Sequence, residues 1–182
     1  YLERLADGRE IPCFALTEPS AGSDAGSMTS QGVLFKNEAG EIQIRLNFEK
    51  RYITLASIAT VIGLACVIRD PEHLIGDRED LGITCILVPA KTAGINQGER
   101  HDPLGVPFYN APLWGEEVVV GLDTIIGGVD GIGQGWQMLM QSLSVGRGIS
   151  LPSTSTGGTK LTARVVGNYA KIRHQFGLNI GK

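Results

Sequence analysis

Residues 11–27 read Ile11-Pro12-Cys13-Phe14-Ala15-Leu16-Thr17-Glu18-Pro19-Ser20-Ala21-Gly22-Ser23-Asp24-Ala25-Gly26-Ser27. An apolar run of strand length ends at Leu16, and a dense block of turn formers follows it. Pro19 biases Glu18 away from helical geometry, so the block reads as a structured loop after a strand. Outward from it, Val33–Phe35 and Ile42–Phe48 flank Asn37-Glu38-Ala39-Gly40-Glu41, a hairpin signal. Ile42, Ile44, Leu46 and Phe48 alternate with Gln43, Arg45 and Asn47, the period of two of a strand with one buried face. The Ile, Val and Thr content of residues 52–68, broken by Gly63, favours strands over a helix. Residues 82–88, 94–97 and 116–120 are further strand candidates, and residues 101–115, rich in Pro and Gly, read as an ordered loop.

The texture changes near residue 126. Residues 127–135 are glycine-rich and read as a turn or as a ligand-lining loop. Trp136, Leu139, Met140 and Leu143 then fall at helical spacing, with a helix end at Gly146-Arg147-Gly148. Leu161, Val165, Val166 and Tyr169 mark a second helical face beginning near residues 150–156. The expected organisation is a helix remnant or linker at 1–9, a β-rich domain at 10–126 and the start of a truncated helical domain at 127–182. The chain is expected to be a piece of a longer protein, and its apolar helix faces imply a missing domain or neighbouring subunit.

Composition narrows the function. Sixteen basic against nineteen acidic residues leave a net charge of -3, with no basic excess for a phosphate backbone, so nucleic acid is not an expected partner. The longest apolar stretch, residues 53–68, is short of the roughly twenty residues of a bilayer span and is interrupted by Thr54, Ser57 and Thr60. Cys13, Cys66 and Cys85 have no metal-type spacing and read as reduced thiols of a cytosolic protein. His73, His101 and His174 form no ligand pattern. Gly131-x-Gly133-x-Gly135 is not the dinucleotide fingerprint, and no Gly-Lys-Ser or Gly-Lys-Thr triphosphate loop is present. Glu18 and Asp24 are candidates for acid/base work or for hydrogen bonding within the loop. Arg147 between two glycines reads as an anion contact or a helix-end cap. Arg173-His174-Gln175-Phe176-Gly177 reads as a site or a solvated helix end.

Taken together, Ala15-Leu16-Thr17-Glu18-Pro19-Ser20-Ala21-Gly22-Ser23-Asp24 closely resembles the first signature of the acyl-CoA dehydrogenases. Leu46-Asn47 with Lys50-Arg51-Tyr52-Ile53-Thr54-Leu55-Ala56 resembles that family's next strand and flavin-side loop. Leu81-Gly82-Ile83-Thr84, Pro103-Leu104-Gly105, Gly133-x-Gly135-Trp136 and Arg173-x-Gln175-Phe176-Gly177 follow in family order.

The resemblance implies a mainly β, barrel-like middle domain followed by the first α-helices of a truncated four-helix domain. It implies FAD as cofactor, with Phe14, Leu16, Thr17, Tyr52 and Thr54 lining the flavin ring. Arg173, Gln175 and Phe176 would meet the FAD of an adjoining subunit, and Ser23 and Arg147 the acyl-CoA substrate. It further implies a homo-oligomer, an electron-transfer flavoprotein as acceptor, and oxidation of medium- or long-chain acyl-CoA to trans-2-enoyl-CoA as the first step of β-oxidation. An acyl-CoA oxidase, a nitroalkane oxidase or a catalytically silent assembly module are the alternatives. The general base is expected to be a glutamate beyond Lys182, which leaves this chain alone inactive. The family's Asn-Gly-x-Lys is here Asn47-Phe48-Glu49-Lys50. That departure, with residues 54–56, 71–74 and 146–152, resembles the large bacterial fatty acyl-CoA dehydrogenases. A bacterial cytoplasmic location follows from that likeness, with peripheral membrane association left open.

Overall fold

β4 (Val61–Arg69) is the most apolar strand of the chain and the pivot of its sheet. In this computed structural model, which describes Tyr1–Val106 and Phe108–Gly181, both edges of β4 are used. β1 (Pro12–Ala15) and β2 (Gln31–Lys36) lie along one edge, both parallel to it, at residues 61–64 and 67–69. β5 (Asp80–Pro89) runs antiparallel along the other. Residues of both parities along β4 are buried, so its two faces are both covered and it reads as a continuous hydrophobic run rather than an alternating one. β3 (Ile42–Thr54), β6 (Ile95–Gln97) and β7 (Asn110–Gly121) complete a seven-stranded sheet. It forms a curled half-barrel followed by helices, as expected for the fold class.

The hairpin at residues 31–54 has the expected register, Leu34 opposite Ile44. Asn37 closes its turn: the Asn37 carboxamide oxygen accepts from the Glu41 N–H at 2.8 Å, and Gly40 takes φ +82°. Ile44, Leu46 and Phe48 point inward against Leu34, Ile62, Leu64, Ile68, Leu113 and Val118. Each such side chain stabilises the fold by roughly 1.5–3 kcal/mol.

Three expectations are corrected. Gly63 does not break its strand but lies within β4, opposite Phe14, where a Cβ would stand 3.0 Å from the Phe14 ring. The loop from residue 101 ends at Tyr109, because β7 starts at Asn110 and runs unbroken through the 116–120 segment. Pro112 is tolerated there because it contributes only its carbonyl, which accepts from the Gly98 N–H at 3.0 Å. The glycines at 146 and 148 do not end a helix. α2 (Gly135–Val145) passes through one wide π turn, Gly146–Ser150, into α3 (Leu151–Ile172), and Val145 and Ser150 both keep helical angles. The wide turn precedes Pro152, whose ring would otherwise crowd the carbonyl of Gly148.

By contact density the chain divides after Gln137. The first unit holds the sheet. In it a short helix α1 (Leu2–Ala6) precedes β1. The second unit, from Met138 onward, holds most of α2, then α3 and a small hairpin, β8 (His174–Gln175) and β9 (Leu178–Asn179). Among the described residues no helix is long and apolar enough to cross a membrane.

Candidate functional site

The segment after β1 and the end of β3 are tied together from beneath. Ile44, Leu46 and Phe48 occupy the buried parity of β3, and the next residue of that parity is Lys50, with no exposed surface. An ammonium group there requires a partner, because an uncompensated buried charge is costly. Glu18, 3% exposed, supplies it. Lys50 Nζ donates to Glu18 Oε1 at 2.9 Å and to the Leu16 carbonyl at 3.1 Å. Glu18 Oε2 accepts from the Thr29 N–H (2.6 Å) and hydroxyl (2.9 Å), and Oε1 accepts from the Ser30 N–H (3.0 Å). Burial alone would raise the Glu18 carboxyl. The hydrogen bonds from Lys50, Ser30 and Thr29 and the Lys50 charge outweigh it and hold the group down at about 2. Burial lowers the Lys50 ammonium, against the pull of Glu18. Glu18 is therefore a buried structural anion, and the acid/base alternative falls.

The clamp fixes the backbone above it. The Arg51 N–H donates to the Thr17 carbonyl at 2.9 Å, joining loop and strand a second time. Beyond it β3 is irregular. Its register with β7 shifts between Lys50 and Ile53, Tyr52 takes φ +60° and Leu55 φ +65°. Left-handed backbone at two bulky residues is strained, and such strain clusters at working sites. Here it turns Tyr52 and Thr54 outward. The Leu55 N–H donates to the Tyr109 carbonyl at 2.7 Å, and Gln97 Nε2 donates to the Ala59 carbonyl at 2.9 Å, holding the turn from below. The Tyr52 ring lies 5.1 Å from His101 and carries the Arg51 guanidinium at 4.7 Å.

Phe14 and Thr54 line one groove of about 360 Å³, walled by Cys13, Leu55, Val61 and Gly63 and containing no carboxylate. Leu16 and Thr17 are half-buried at the strand end just past Phe14. The structure thus brings Phe14 and Thr54 together in the groove, while Leu16, Thr17 and Tyr52 do not line it and belong to the neighbouring strand ends that Lys50 and Arg51 join. Ser23 is exposed on the signature loop, away from any hydrogen bond among the described residues. In the second unit, Arg147 sits in the π turn beside Met140 and Leu143, not at a helix end. Arg173 caps α3 with extended backbone, and its carbonyl accepts from the Ile180 N–H at 3.0 Å. Gln175 ends β8, and Phe176 at φ +51° stands fully exposed at the tip of the hairpin.

Glycines 131, 133 and 135 pack rather than line a ligand site. A Cβ on them would stand 2.0, 2.3 and 2.7 Å from the carbonyls of Ile126, Leu81 and Ile83. The Asn47-Phe48 departure has its own compensation. The Phe48 ring covers Gly115 opposite it on β7, where a Cβ would be 2.3 Å away. In the sequence, the parity of Lys50 with Leu46 and Phe48 is the signal that it is buried.

A curled β half-barrel with an apolar groove beside a strained strand end defines the class of this domain. The chain belongs to the acyl-CoA dehydrogenase family: residues 13–116 match the model for the acyl-CoA dehydrogenase middle domain. It is 54% identical over 103 residues to Protein HemX of Proteus mirabilis, covering 57% of this chain and 61% of that one. It is 32% identical to the mitochondrial short-chain specific acyl-CoA dehydrogenase of Homo sapiens over all of this chain and 41% of that protein. A solved acyl-CoA dehydrogenase of Bacillus anthracis, complexed with FAD, superposes with a TM-score of 0.69 at 28% identity, over 99% of this chain and 28% of that one. The chain therefore spans between about two fifths and three fifths of the length of these two curated relatives.

Proposed function

We propose that the protein carrying this chain is an FAD-dependent acyl-CoA dehydrogenase. Its substrate would be a medium- or long-chain fatty acyl-CoA, oxidised to the trans-2-enoyl thioester, as in the large bacterial members that residues 47–50, 71–74 and 146–152 resemble. The observation that carries the reading is the shared groove of Phe14 and Thr54 beside the clamped Leu16–Thr17 segment. The residues fit a flavin. The groove is apolar where a ring would lie, and the Thr17 N–H, three residues beyond Phe14, has no acceptor among the hydrogen bonds of the described residues.

When bound, FAD would accept the β-hydrogen as hydride at N5. This chain's residues bind and orient. Phe14, Leu16 and Thr17 would meet one edge of the ring, and backbone or hydroxyl donors at Thr17 would stabilise negative charge arriving there. Tyr52 and Thr54 would flank the other side, and Ser23 and Arg147 would contact the acyl-CoA. Arg173, Gln175 and Phe176 would reach the FAD of a neighbouring subunit in a homo-oligomer, for which the exposed Phe176 is a suitable contact. The α-proton would pass to a glutamate beyond Lys182. Electrons would leave to an electron-transfer flavoprotein.

The test is the visible spectrum of the full-length protein, followed by palmitoyl-CoA added without oxygen. Oxidised-flavin bands that bleach support the dehydrogenase. Rapid reoxidation by air would convert the assignment to an oxidase. A colourless protein that takes up no FAD overturns it.

A further inference from the structure

Lys50 has a role beyond closing the sheet. We infer that it is a positioning residue that polarises the Leu16–Thr17 peptide and aims its N–H at the ligand groove. The inference rests on the flavin reading above.

Three observations carry it. Lys50 Nζ reaches the Leu16 carbonyl at 3.1 Å from a position with no exposed surface. In a planar trans peptide the carbonyl and the following N–H point in opposite directions, so a carbonyl drawn inward to Lys50 turns the Thr17 N–H outward. That N–H is left without an acceptor among the described residues, while the Thr17 carbonyl is held by the Arg51 N–H at 2.9 Å. The Leu16–Thr17 peptide is thus held by Lys50 and the next peptide by Arg51, which leaves one free donor three residues beyond Phe14. A cation on the carbonyl oxygen withdraws electron density from the amide and strengthens that donor, and such chains reinforce one another where the dielectric is low. Glu18 is positioned by Thr29 and Ser30 to keep Lys50 charged and in place. The family signature residue Glu18 would then act on the ligand at one remove, through Lys50 and a backbone amide, without touching it.

The chemistry this favours is an acceptor that gains negative charge, as the ring edge of a flavin does on reduction. Removing the ammonium should leave FAD bound but make its reduced form less favourable. The experiment is the midpoint potential of FAD in the full-length protein, equilibrated with a reference dye, for wild type and for Glu18→Gln/Lys50→Met. The double variant removes both charges together, so no buried ion is orphaned. Where it does not fold, Glu18→Gln/Lys50→Gln keeps neutral hydrogen bonds in the same space and removes only charge. The expected result is retained FAD affinity with the reduced-to-oxidised ratio at fixed poise falling about tenfold, which is about 30 mV for a two-electron couple. Lys50→Arg should restore most of the shift. A folded, yellow double variant with an unchanged potential overturns the inference and leaves the flavin reading standing. A wild-type protein that takes up no FAD overturns both.

Discussion

Replacing Glu18 by Gln should be among the most destabilising single changes in the sheet-bearing unit. The carboxylate is 3% exposed and accepts from Lys50, Ser30 and both donors of Thr29. Its pKa falls from 4.5 to about 2, and at 1.36 kcal/mol per unit this corresponds to roughly 3 kcal/mol of stability. The sign follows from the direction. A depressed folded-state pKa stabilises fully above the unfolded value, and that contribution disappears as pH falls from about 4.5 toward 2. Lys50 works the other way: burial lowers its pKa against the pull of Glu18, so carrying its charge into the fold costs stability relative to the exposed ammonium of the unfolded chain. The intact pair therefore adds little net stability, while breaking it costs about 3–5 kcal/mol, because one buried charge is left alone. Urea unfolding of the full-length protein at pH 7, followed by tryptophan fluorescence, reads this out through Trp114, which pairs with Glu49 next to Lys50. Glu18→Gln and Lys50→Met should each lower stability by that amount, and the double variant by far less than the sum. Additive losses, or a single variant within about 1 kcal/mol of wild type, would refute the argument.

Gly115→Ala should destabilise by about 1–3 kcal/mol, since its Cβ would fall 2.3 Å from the Phe48 ring, and Phe48→Leu should recover part of the loss; thermal melts of the two variants decide it. Gly63→Val should push Phe14 from the groove and weaken FAD binding about tenfold in a fluorescence titration, with a smaller loss of stability; unchanged affinity would separate Phe14 from the cofactor. The thiols should stay silent toward maleimide in the folded protein. Burial pushes Cys66 up to about 12 and Cys13 to about 11, and raises Cys85, so labelling at pH 7 should appear only on adding urea.

The sheet was legible where side chains alternate or run apolar. Ile42–Phe48, the Asn37–Gly40 turn and residues 82–88 gave strands at the right places, because burial of one face leaves a period in the sequence. Legibility failed where backbone context decides. Gly63 looks like a break, yet it is a close approach to an aromatic ring across a parallel pair, which no local pattern records. Gly146 and Gly148 look like a stop, yet a π turn carries the helix through them ahead of Pro152. The candidate site divides the same way. Phe14 and Thr54 follow from the resemblance to the family's motifs and meet in one groove, whereas the Glu18–Lys50 contact joins residues 32 apart and is legible only as a cation in a buried parity.

That contact also explains why Thr-Glu-Pro is a recognisable signature at all. Along the loop, successive residues serve opposite sides of the backbone: Thr17 is half-buried, Glu18 is driven inward, and Pro19 is exposed. A non-helical chain alternates in this way, and Pro19 restricts Glu18 to non-helical geometry. The Glu18 N–H and carbonyl then close a turn with Ala21, at 3.1 and 3.3 Å, while Thr29, Ser30 and Lys50 hold its carboxylate. A change at any of the three positions would alter ligand contact, core charge and loop geometry together, because the same few atoms carry all of them. Sequence likeness concentrated there is therefore a statement about a folded, charge-compensated scaffold before it is a statement about substrate. It is also why 54% identity over 57% of this chain with a relative whose name gives no reaction, and 32% identity over all of this chain but 41% of a dehydrogenase, are consistent with one fold.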